Sequence, residues 1–64
     1  MSTINNLEIL PKYISELTEA YGVQVAIEKT EYHLKVAQIV NASESAIEFL
    51  NMVRDELNRL KENQ

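Results

Sequence analysis

VQVAIEKTEYHLKVAQIV, residues 23–40, is the stretch whose reading decides the fold. Val23, Val25 and Ile27 alternate with Gln24, Ala26 and Glu28; further on, Tyr32, Leu34 and Val36 alternate with His33 and Lys35. Strict alternation is the pattern of a half-buried strand. The expectation is a β-hairpin with strands over about 23–28 and 33–40. Putting both apolar sets on one face requires a loop of even length. A two-residue loop at Lys29-Thr30 would need positive φ angles that these residues resist, and would set Glu28 against Glu31. A four-residue loop, Lys29 to Tyr32, sets Glu28 opposite His33 and Ile27 opposite Leu34 instead. Val25, Ile27, Leu34 and Val36 then face a core, while His33 and Lys35 face solvent. The second strand outruns the first through Ala37, Ile39 and Val40, which leaves an apolar edge for something else to cover.

On either side the period changes to that of a helix. Leu7, Leu10, Ile14, Leu17 and Tyr21 follow a 3-4-3-4 spacing, and Gly22 suits the left-handed position that ends a helix. Pro11 would clash with the carbonyl four residues back if it lay deep inside. The regular helix is therefore placed at about 11–21, with residues 3–10 as a preceding turn or kinked extension. After the hairpin, Asn41 to Glu44 reads as a capping box, and a last helix runs over about 42–62. Glu44 and Glu48 sit early in it and Arg54, Arg59 and Lys61 late, as the helix dipole prefers. Asp55 and Arg59 are spaced for a favourable i,i+4 pair.

That last helix is unusually apolar. Ala46, Phe49, Leu50, Val53, Leu57 and Leu60 fill one stripe, while Ile47 and Met52 lie about 100° and 120° to either side of it. A stripe about 100° wide serves one helix packing on one core. The excess implies a second surface to cover. A chain of 64 residues also buries only about 60% of its unfolded surface, so small domains commonly add a disulfide, a metal or a partner. There is no cysteine and only one histidine, His33, which leaves association as the reinforcement.

Ten acidic and six basic residues give a net charge of −4, which opposes nucleic acid and anionic lipid alike. MSTINNLEIL has no basic segment and no long apolar segment, so no secretory signal is expected. No apolar run approaches the ~20 residues of a membrane span, so a membrane partner is not expected either. Asn41-Ala42-Ser43 matches the glycosylation sequon, a match without consequence in the cytoplasmic setting this implies.

Chemistry has little to build on. His33 is the only side chain that titrates near neutrality, and its place on the outward hairpin face marks it as solvated. Glu16 and Glu19, like Glu44 and Glu48, have spacings suited to acid–base work or a metal, yet nothing around them supplies the burial that would raise a carboxyl pKa. No glycine-rich phosphate loop exists. The expectations are no enzyme activity, no cofactor, no metal and no small-molecule substrate. Lys29, His33 and Lys35 would lie on the hairpin, and a two-stranded ribbon can enter a major groove, but Gln24, Glu28 and Glu31 make that face mixed. Tyr13, Tyr21 and Tyr32 read as core edges rather than as a base-stacking platform.

The whole chain, 1–64, is thus expected to form one α+β domain in αββα order. Two copies would assemble side by side or intertwined. The expected dimer interface comprises Ile47, Leu50, Met52, Val53, Leu57 and Leu60 of the last helix with Ile39 and Val40 of the overhanging strand. The expected function is a small regulatory module that binds and modulates a larger protein, a composition also met among phage and mobile-element accessory proteins. Glu8, Glu16 and Glu19 are the expected partner-binding residues, because the two later acids sit against the helix dipole. The alternative is a dimeric nucleic-acid-binding regulator that uses the hairpin.

Overall fold

The computed structural model describes residues 6–63. Three helices account for nearly all of them: α1 (Asn6–Tyr21), α2 (Val23–Ile39) and α3 (Glu44–Glu62). The described residues contain no strand, so the α+β, αββα reading is wrong, and the class is all-α. The two expected strands and the loop between them are a single continuous helix, α2.

Helical geometry explains the error. Residues two apart share a face in a strand but lie about 200° apart on a helix. The pairs placed together by alternation are therefore split: Ile27 and Leu34 are buried, while Val25 and Val36 are exposed. Val23, Ala26, Ile27, Thr30, Leu34 and Ala37 share one arc, and all but the partly covered Val23 are buried. Ala26, set on the solvent side by the strand reading, and Thr30, set in its loop, are 0% and 2% exposed. Because these are small, α3 can approach closely. Thr30 carries its polar atom in without cost, since its hydroxyl donates to the Ala26 carbonyl at 2.8 Å.

The joints correct the expected boundaries. Gly22 alone connects α1 to α2, with φ 82° and ψ 161°. That positive φ is where a glycine was expected to end a helix, although ψ takes it outside the left-handed helical well. Its N–H donates to the Thr18 carbonyl at 2.8 Å, and its carbonyl accepts from Ala26 at 3.0 Å, so it serves both helices. At the far end of α2, Asn41 adopts φ 57°. The Ala42 N–H reaches back to the Ala37 carbonyl at 2.8 Å and Asn41 N–H to Gln38 at 3.4 Å, the bond pattern of a Schellman motif. Asn41 therefore closes α2 and does not open α3. The residue that caps α3 is Ser43, which accepts from Ala46 N–H at 3.2 Å. The expected capping box is replaced by this single bond.

α1 also begins earlier than expected, at Asn6, with Pro11 inside it. Residues 3–5 of the expected extension lie outside the described residues. Proline deprives the Leu7 carbonyl of a donor but leaves the helix unbroken.

The core is built by Ile14 of α1, Ala26 and Ile27 of α2, and Val53 and Leu57 of α3, with Leu10, Leu17, Val23, Phe49 and Leu60 packed around them. α2 and α3 pair most extensively, and α1 touches both. Tyr13 meets Phe49 edge to face, ring centroids 5.3 Å apart. The wide apolar arc of α3 thus has an internal use, since it lies between two neighbours and needs more than one stripe.

Candidate functional site

Much of the exposed apolar surface of the described residues lies on α2. Val25, Tyr32, Val36 and Ile39 are all exposed, Tyr32 at 66% and Ile39 at 74%. With Lys29 they follow spacings of four, three, four and three along the helix, and fall within about 80° of one another on the side away from Ala26, Thr30 and Ala37. α2 therefore carries two stripes, one inward and one outward. The outward stripe is long and continuous, and no other described residue covers it.

The polar groups beside it have definite positions. Lys29 Nζ lies over the Tyr21 ring, 4.6 Å from its centroid, so the ammonium is drawn to the edge of the stripe while its methylenes stay on it. Glu28 accepts from Gln24 Nε2 at 3.1 Å. Among the described residues neither Glu28 nor Lys35 has an ionic partner; the ion pairs are Arg54–Asp55 at 3.3 Å and Arg59–Glu56. Arg59 thus chooses Glu56, one residue closer than the expected Asp55. The hydrogen bond from Arg59 lowers the Glu56 carboxyl below its usual 4.5, against an opposing effect of desolvation, and Glu56 raises Arg59 in turn.

The expected interface residues divide into three groups. Val53 and Leu57 are wholly buried in the core of one copy and offer a partner nothing. Ile47, Leu50, Met52 and Leu60 are half-buried. Ile39 and Val40 are exposed, as a dimer contact requires, but on the end of a helix rather than on a strand. Val25, Tyr32 and Val36 were missed because alternation turned Val25 and Val36 inward and put Tyr32 in a loop. The available signal was the absence of Gly, Pro, Asn, Asp or Ser anywhere in 23–40, where a hairpin needs a turn.

Glu8, Glu16 and Glu19 are all exposed on one face of α1, within about 80° of one another, with Lys12 in their midst. An open cleft of about 410 Å³ runs between α1 and α3, lined by Leu10, Ile14, Thr18, Glu56 and Leu60 among others. With no hairpin, Lys29, His33 and Lys35 lie on α2, where Lys29 and Lys35 point about 120° apart. They form no basic face, and the ribbon-in-groove alternative loses its structural basis. No group of three or more potential metal-binding side chains gathers among the described residues, and no helix there is long and apolar enough to cross a membrane. Set against known protein families, curated proteins and solved structures, the chain shows no match.

Proposed function

We propose that this protein is a non-enzymatic interaction module, acting in the cytoplasm, that self-associates and binds a larger protein to modulate it. One observation carries the reading: the outward face of α2 exposes four large hydrophobics on a single helix, as many as α2 buries on its inner face with Ala26, Ile27, Leu34 and Ala37. Contiguous apolar surface of this kind marks an interaction site, and in so small a domain it is a large fraction of the apolar material. Around it the chemistry is inert. Thr30, the one buried polar residue among those described, has its hydroxyl committed to a backbone carbonyl, and the pair Glu56–Arg59 lies at the surface.

The larger partner is assigned to α1, where Glu8, Glu16 and Glu19 offer an acidic face to a basic surface. Rim charges of this kind set association rate more than final affinity. The test is photo-crosslinking in cells of the native host, with the reactive group at position 16 and, as control, at position 62. A heterologous adduct specific to position 16 is expected. Self-adducts alone, or the same adducts from both positions, would contradict the reading.

A further inference from the structure

We infer that the outward face of α2 binds the same face of a second copy of this chain, the two helices running antiparallel; this rests on the interaction-module reading and specifies its self-association.

Val25, Lys29, Tyr32, Val36 and Ile39 have the 4-3-4-3 spacing of a coiled-coil seam, Lys29 and Val36 standing at a positions and Val25, Tyr32 and Ile39 at d. A two-fold pair of antiparallel helices sets a against d. Placing Lys29 against the partner's Tyr32 brings Val25 against the partner's Val36, and symmetry repeats both layers. The same register lays Ile39, 74% exposed, over the partner's Gly22, where no side chain obstructs it.

Charge selects both the partner and the direction. Glu28 and Lys35 each precede an a position and so occupy equivalent g positions. In the antiparallel register Glu28 of one copy flanks the partner's Lys35, twice in the dimer, and each supplies the ion that the other lacks among the described residues of its own chain. A parallel pair would set Lys29 directly against the partner's Lys29, and Glu28 beside the partner's His33 instead of a lysine. Lys29 suits the antiparallel arrangement in another way, because its charge already leans towards Tyr21 and leaves the aliphatic stem for the partner's Tyr32 ring. α2 has 17 residues, about 25 Å, which makes a short seam and a dimer that dissociates at micromolar concentration.

The experiment is sedimentation equilibrium on the full chain as wild type, E28K, K35E and the E28K/K35E double variant, with helix content checked by circular dichroism. These side chains are exposed, so folding should survive every change. The wild type is expected to dimerise. Each single variant should weaken the dimer about tenfold by facing like charges, and the double variant should restore it to within about threefold. V36K should abolish it. A wild type that stays monomeric overturns the inference while leaving the α1 crosslinking test of the broader reading intact. A double variant no tighter than the singles, or a dimer indifferent to V36K, overturns it equally.

Discussion

The Thr30 hydroxyl donates to the Ala26 carbonyl at 2.8 Å, one helical turn apart and buried on the inner face of α2. In a hairpin these two residues would stand at the surface or in a loop. Their burial gives a direct check on the fold. Ala26→Leu should overpack the core and cost about 1–3 kcal/mol in chemical denaturation. Thr30→Val should be near neutral, because the hydroxyl leaves no orphan behind and the carbonyl keeps its backbone donor. A harmless Ala26→Leu would restore the outward placement of Ala26.

Gly22→Ala should destabilise by about 1–3 kcal/mol. The reason is conformational: a Cβ at this position meets nothing within 4 Å, yet φ 82° with ψ 161° is a region that only glycine occupies readily. Thermal unfolding measures the loss.

Pro11→Ala should act in the opposite direction. It returns an N–H to the Leu7 carbonyl inside α1 and removes the ring's conflict with the preceding turn, a gain of about 1–3 kcal/mol. Denaturant melts and helix content by circular dichroism should rise together.

How far the sequence discloses this fold depends on which helix is asked. In α1 and α3 large aliphatics mark the inner face, and reading their spacing finds Ile14, Val53 and Leu57 in the core and Leu10, Leu17, Phe49 and Leu60 around it. In α2 the inner face is marked partly by Ala26, Thr30 and Ala37, which carry little hydrophobic signal, while the outer face bears Val25, Tyr32, Val36 and Ile39. Two apolar stripes on opposite sides of one helix mimic alternation, and the β-branched content of 23–40 reinforces the mistake, since strand preference mostly reflects packing rather than backbone. The same duality hid the candidate site, because Val25 and Val36, exposed on the outer face, were read as core. The acidic face of α1 needed no such discrimination, and Glu8, Glu16 and Glu19 do share a face.

Glu56 supplies a pH prediction. The Arg59 hydrogen bond holds its carboxyl below the ordinary 4.5, so the folded chain releases this proton more readily than the unfolded one. The resulting stability is present above the ordinary value and is lost as pH falls through the lowered one. The pair is at the surface, so the effect is small and best seen by comparison. Wild type should exceed Glu56→Gln in melting temperature at about pH 6, and the difference should shrink as the pH falls below the ordinary carboxyl value. A difference that grows on acidification would reverse the sign.

The most direct test of the account is disulfide trapping between copies, which the absence of native cysteine makes clean. Val25→Cys and Val36→Cys proteins are mixed and oxidised, and the products are compared with those of each protein alone. Disulfides form only where Cα atoms come within about 4.4–6.8 Å, so the product reports which residues share a layer. Antiparallel pairing of the outward faces predicts that the mixed 25–36 disulfide dominates and that neither variant links efficiently to itself. Rapid self-linking of Val36→Cys, with little mixed product, would contradict it.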